Sequence, residues 1–279
     1  MIKGLLTSIN KIKLKITFIF NDLLFPDNLN LDYVSKLNNF GDILSPIILE
    51  NISGKKVNRI RSSYFNKKHY LGIGSILDRA TNHSVVWGSG FISEKSTFIS
   101  KPNKILAVRG KLTREILINN GVDCPEIYGD PALLLPRYYK PKITKNYKLG
   151  IMPHYIDKSN DNLKKFKNDN EILIIDIQNS NPLNVIDLML SCERIVTSSL
   201  HGIILSDAYK IPNLWVSFSN NIIGGNFKYH DYFSSVNRTK INPIIFTDKM
   251  DKIELIKKCD IHEITIDLDK LISSLLSDL

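Results

Sequence analysis

The sequence predicts an α/β fold of two doubly wound domains, each built on a mostly parallel sheet. Two observations carry this reading. From residue 31 onward, short apolar runs are followed by polar or Gly-rich punctuation and then by a helical period, the pattern of stacked β-α units. The series pauses at Arg137 to Tyr147, a Pro- and Lys-containing segment without periodicity, and resumes at Leu149. That pause reads as a linker and divides the chain into an N-terminal extension (1–30), a first domain (31–140) and a second domain (147–279).

Residues 1–25 read two ways. Leu5, Ile9, Ile12, Ile16 and Leu23 share a helical face, whereas Lys11 to Phe20 alternates like a strand. A basic amphipathic helix here would lie on an anionic membrane surface; the alternative is an extra helix or edge strand packed on the fold. In the first domain, strands are expected at Leu31 to Leu37, Val57 to Ile60, Tyr70 to Ile73, Ser84 to Trp87, Lys104 to Val108 and Glu126 to Tyr128. The second series runs Leu149 to Met152, Ile172 to Ile177, Arg194 to Thr197 and Leu214 to Phe218. Helices are expected at Lys111 to Asn120, stopped by Gly121, at Pro182 to Leu190, at Ser199 to Tyr209, and at Leu268 to Leu279.

The 279 residues carry a net charge of +9, which points to an anionic partner such as a phosphorylated small molecule or a lipid surface. No aromatic-basic nucleic-acid motif accompanies the charge, so nucleic acid is not an expected partner. Only eight of the 37 cations are arginines, the residue suited to bidentate phosphate recognition. Three cysteines without C-x-x-C spacing encode neither a disulfide framework nor a zinc site, so no metal is expected and a reducing cytoplasm fits. Lysines 11, 13 and 15 interrupt the first apolar stretch, which argues against a signal peptide, and no run of 18 apolar residues could span a membrane.

The polar and Gly-rich words fall just after the strands, where open α/β sheets bind ligands. Ser198 to Gly202 is the most informative. A strand runs into two hydroxyls and His201 at the first turn of a helix, an anion seat with a titratable group beside it. The plainer alternative makes Ser198 a helix cap and His201 a loop hydrogen-bonder. Arg109 emerges from a strand and leads into a helix carrying Lys111 and Arg114, so cations surround another helix start. Asp42 and Asp130 each have a turn or capping role available, the better reading for Asp130 because Pro131 follows. Lys228 to Tyr232 follow the Gly224-Gly225 turn and read as a loop that could serve as a lid.

Taken in order, Asn39-Phe40-Gly41-Asp42, Gly72 to Ser75, Val86 to Gly90, Val108 to Arg114, Tyr128 to Leu134, Pro153-His154-Tyr155 and Ser199 to Gly202 resemble the polysaccharide pyruvyl transferase family over about residues 33 to 240. The resemblance implies two Rossmann-like domains facing across a cleft, as in GT-B glycosyltransferases. It implies transfer of a pyruvyl group from phosphoenolpyruvate, a co-substrate, onto a saccharide acceptor as a cyclic ketal, with no metal or other cofactor. His201 takes the place of the family's Leu-His-Gly histidine, Arg109 that of its arginine after the fifth strand, and Asp42 that of its Asn-x-Gly-Asp aspartate. Many members carry Arg where Ser199 stands, so Lys228 or Arg114 is the expected substitute.

On this reading His201 is the acid, Asp42 the base for the sugar hydroxyl, and Arg109, Arg114, Ser198, Ser199, Gly202 and Lys228 bind the donor. Asn39, Trp87, Ser89, His154 and Tyr155 are expected to bind the acceptor, lipid-linked or not, in an enzyme of the cytoplasm or the inner membrane face. Two other readings compete. A GT-B glycosyltransferase using a nucleotide sugar needs a carboxylate to grip a ribose, and only Asp207 offers one. A basic membrane-surface module without catalysis leaves the strand-end words unexplained.

Overall fold

A computed structural model describes residues 12, 15–21, 23–35, 40–219, 221–238 and 242–279. Two five-stranded parallel sheets form the frame. The first contains β1 (Leu29–Asp32), β2 (Val57–Ile60), β3 (His69–Leu71), β4 (Ser84–Trp87) and β5 (Lys104–Ala107), in the order β2-β1-β3-β4-β5. The second contains β6 (Leu149–Met152), β7 (Ile172–Ile174), β8 (Ile195–Thr197), β9 (Asn213–Ser217) and β10 (Ile244–Ile245), in the order β10-β9-β8-β6-β7. Read from the other edge, the second order repeats the first. Each sheet therefore reverses its winding once, between β1 and β3 in the first and between β6 and β8 in the second. A crevice opens outside the strand ends at such a reversal, where the connections leave toward opposite faces.

Besides the N-terminal helical residues, seven α-helices cover the sheets among the described residues: α1 (Phe40–Ser53), α2 (Lys111–Asn119), α3 (Pro182–Leu190), α4 (Leu200–Ala208), α5 (Phe227–Ser235), α6 (Lys252–Lys258) and α7 (Leu268–Leu276). The inner strands β3, β4, β6 and β8 are buried on both faces, as a covered parallel sheet requires, so they read as near-continuous apolar runs and not as alternation. Helix α3 begins as its sequence specifies: the Asn181 side chain accepts the Leu183 N–H and Pro182 supplies a preset φ.

One apolar core runs across both sheets, joining Leu31, Phe40 and Trp87 through Leu133 to Leu135 with Val185, Ile203 and Trp215. The two halves are thus held by shared burial, not only by a linker. The expected division departs from the structure at its end. Helix α7, assigned to the second domain from the sequence, returns to the first sheet: Leu271 and Leu275 are buried, and the Leu271 carbonyl accepts the Trp87 indole N–H at 2.9 Å. Asp278 pairs with Lys68 at 3.0 Å and Lys104 at 2.7 Å.

Two other expectations are corrected. Glu126 to Tyr128 forms only an isolated bridge, Val108 to Tyr128, because Gly129 (φ 138°) and Pro131 turn the chain away. Lys228 to Tyr232, expected as a loop, lie within helix α5 with Tyr229, Asp231 and Tyr232 buried, so that segment is not a lid. The N-terminal ambiguity resolves toward helix over the described residues 15–21.

Candidate active site

A cavity of about 250 Å³ lies between the sheets, at the winding reversals of both. From the first sheet it receives Asp42, in the first turn of α1 after β1, and Ser75, Asp78 and Arg79 from the segment after β3. From the second it receives His154 and Tyr155 after β6, and Ser199 and His201 at the start of α4 after β8. Lys228, from the first turn of α5, completes the wall.

Local backbone chemistry makes this convergence possible. A Cβ at position 41 would lie 2.0 Å from His201 Nδ1, so only glycine lets α1 meet the imidazole. Gly74 adopts φ 113°, a conformation costly for any side chain, and a Cβ there would lie 2.7 Å from an Asp42 oxygen. The sequence words around the site are therefore close-approach devices, with the chemistry carried by the neighbouring side chains.

His201 is buried; its Nε2 lies 3.7 Å from Asp130 Oδ2, and both atoms lack a hydrogen-bond partner. The other Asp130 oxygen accepts the Ala132 N–H at 3.0 Å. Asp130 thus performs the turn-capping role read from its sequence and also faces the imidazole. Burial raises the Asp42 carboxyl above the ordinary carboxylate range, against the lowering effects of His201, Arg79 and Lys228. Burial, with Arg109 nearby, lowers the Lys228 ammonium to about 8. His154 is lowered to about 4 by burial and by the charges of Lys228 and His201, so it is neutral at neutral pH. The Ile156 N–H points at His154 Nδ1 from 3.4 Å, which leaves the proton on Nε2.

Of the residues singled out in the sequence, Asp42, His154, Tyr155, Ser199, His201 and Lys228 meet in the cavity. The others are placed elsewhere. Arg109 is wholly buried behind Ser75, with every arm of its guanidinium engaged: Asp231 at 2.9 Å, Ser75 Oγ at 2.6 Å and the Phe91 carbonyl at 2.7 Å. It cannot reach a ligand from there. Arg114 donates to the Cys124 carbonyl and pairs with Glu126, outside the cavity. Ser198 is buried and accepts the His154 backbone N–H at 2.8 Å, while Gly202 packs where a Cβ would strike Thr197. Trp87 is core, and Ser89, also buried, donates to the Gly74 carbonyl. Asn39 lies outside the described residues.

Sequence reading passed over Arg79. It lines the cavity while Asp32, 3.2 Å away, holds its guanidinium. The signal was present, since Arg79 is one of eight arginines and follows the Gly72 to Ser75 word closely. Asp207, the candidate ribose ligand of a glycosyltransferase, is buried and taken by Asn213 at 2.7 Å, Tyr232 at 2.9 Å and Arg238 at 3.4 Å.

Comparison with known proteins agrees with the order of these words. The sequence model of the polysaccharide pyruvyl transferase family matches residues 7–220. Uncharacterized protein L143 of Acanthamoeba polyphaga mimivirus is 32% identical over 210 residues, covering 73% of this chain and 73% of that protein. Succinoglycan biosynthesis protein ExoV of Rhizobium meliloti (strain 1021) is 31% identical over 179 residues, which are 61% of this chain and 54% of that protein. The chain therefore spans little more than half the length of the rhizobial relative. No solved structure matches it.

Proposed function

The chain belongs to the polysaccharide pyruvyl transferase family, and on that premise we propose that it transfers a pyruvyl group from phosphoenolpyruvate to a pair of hydroxyls on a saccharide, in a GT-B-like arrangement of its two halves. The observation that carries the proposal is the meeting, in one cavity, of two cations from different sheets with a buried carboxyl and a buried imidazole. Phosphoenolpyruvate is a small polyanion that needs two charge clamps. Arg79 and Lys228 supply them, helped by the first turn of α4, whose N-cap Ser199 provides no side-chain cap.

The chemistry follows from the charges. His201 gives a proton to the donor's methylene carbon, which leaves an oxocarbenium-like centre at C2. A sugar hydroxyl adds there and passes its proton to Asp42, whose raised pKa makes it a better base than an ordinary carboxylate. The C2–O bond to phosphate then breaks, and a second hydroxyl closes the ketal with its proton leaving on phosphate. Tyr155, its ring 4.3 Å from that of neutral His154, offers a flat polar wall for the sugar. No metal takes part in this route, so turnover in excess EDTA is expected to match turnover without it.

The test is a ligand-protection melt. Phosphoenolpyruvate at about 100 times its dissociation constant is expected to add about 2.7 kcal/mol of stability, nucleotide sugars little, and Arg79→Gln is expected to lose most of the protection. Protection by a nucleotide sugar alone would turn the reading to a glycosyltransferase.

Lys228 gives the proposal a pH signature. Its folded pKa of about 8 lies below the ordinary lysine value, so the group is mostly charged at neutral pH and loses its charge as pH rises through 8. The kcat/KM for phosphoenolpyruvate is expected to fall from about pH 7 to about 10, with kcat following at higher pH because bound anion holds the proton on. In Lys228→Arg that fall is expected to vanish from this range. Steady-state profiles for both proteins check it, and an unchanged fall in the variant would exclude Lys228.

A further inference from the structure

An ordinary surface helix turns its apolar stripe inward. The N-terminal helical segment does the opposite. Ile12, Ile16, Ile19, Phe20, Leu23 and Leu24 recur at helical spacing, and all six are exposed by more than half of their area. Phe18, on the other side of the helix, is buried, its ring 4.2 Å from that of Phe65. The segment is thus attached by its minor face and presents its major apolar face to solvent, a patch of the kind that marks an interaction site.

Lysines occur on the segment and at the strand starts that follow it. Lys67 lies 5.9 Å from the Phe18 ring, and Lys15 belongs to the segment itself. Exposed Lys55 and Lys56, the latter paired with Glu50 at 3.2 Å, precede β2, and exposed Lys68, paired with Asp278 at 3.0 Å, precedes β3. Both strands start at the same edge of the first sheet, because β1 pairs in parallel with each. In the sequence, Lys3, Lys11 and Lys13 extend the positive character, within a chain of net charge +9.

We propose that this face docks on an anionic lipid surface, with the stripe immersed at the headgroup boundary and the lysines against the headgroups. Charge decides the occupant: a second copy meeting this face symmetrically would set lysine against lysine, whereas anionic lipid satisfies both stripe and rim. Among the described residues no helix is long and apolar enough to cross a membrane, so the segment lies on the bilayer. The rim is at the amino ends of the first-sheet strands and the cavity at their carboxyl ends, so a docked molecule keeps its cavity open to a soluble sugar.

The test is cosedimentation of the full chain with vesicles of phosphatidylcholine alone or with phosphatidylglycerol. Binding is expected only to the anionic vesicles and to weaken steeply with salt. The variant Ile16→Ser, Phe20→Ser, Leu23→Ser is expected to lose roughly tenfold or more in vesicle affinity. Because vesicle binding is read without turnover, its failure is separable from failure of the pyruvyl-transfer reading. Equal binding by the variant, or no binding of the full chain to anionic vesicles, overturns the proposal. So does a dimer in sedimentation velocity that the triple variant dissociates, which would make a second copy the occupant.

Discussion

Arg109→Ala is expected to lower folding stability by about 3–5 kcal/mol, the range for breaking a buried ion pair on one side. Arg109 and Asp231 are wholly inaccessible, and their 2.9 Å contact joins the end of the first sheet to α5. Asp231 also accepts the backbone N–H of Thr113 at 2.8 Å and its hydroxyl at 2.7 Å, so it caps α2 from another part of the chain. Gly110, which precedes α2, provides no side-chain cap of its own. Removing the guanidinium strands the carboxylate and leaves Ser75 Oγ and the Phe91 carbonyl without their donor. Donor affinity should follow only indirectly, because α5 carries Lys228 into the cavity. Urea unfolding beside calorimetric titration of phosphoenolpyruvate separates the two effects. The double variant Arg109→Met, Asp231→Leu should recover part of the loss, since it leaves no unpaired charge. Wild-type stability with lost donor affinity in Arg109→Ala would return this arginine to the donor clamp.

That contrast shows which parts of the molecule were legible. The runs Ser84–Trp87 and Leu149–Met152 are strands with the expected bounds, because inner strands buried on both faces need near-continuous apolar residues, and Val57–Ile60 keeps its bounds as an edge strand with alternating burial. Helix α1 went unread because Gly41 and Pro46 look like breakers; Gly41 is instead a packing necessity against His201, and the helix runs on past Pro46. Helix α5 went unread because neither face is left polar: Asp231 turns to Arg109, and Tyr229 stacks on Trp215 at 4.6 Å. The strand-end words converge on the cavity because crevices form where winding reverses. They could not assign roles. Ser89, Trp87 and Arg109 stand in the same words as the cavity residues, and only the direction of each side chain decides between wall and ligand contact.

His201→Gln should lower turnover by roughly 10² to 10⁴ while leaving phosphoenolpyruvate affinity near that of the unaltered protein. Glutamine keeps a donor and much of the imidazole's bulk against Gly41 but cannot carry a proton at neutral pH. Asp130 sharpens the test. Its Oδ2 lies 3.7 Å from Nε2, and neither atom has another partner, so on the proposed mechanism the carboxylate is the group placed to orient the ring and balance its charge as it passes the proton. Asp130→Asn should therefore lower kcat about tenfold or more, with KM for the donor little changed and the pH dependence of kcat altered. In His201→Gln the further change Asp130→Asn should cost almost nothing, because the two act as a unit. Independent, multiplying losses would mean that Asp130 serves only as the cap of the turn at Pro131. Near-normal turnover in His201→Gln would leave the imidazole a packing element against Gly41 and Phe40, with the acid then to be sought at His154 or Asp42, both buried in the cavity lining.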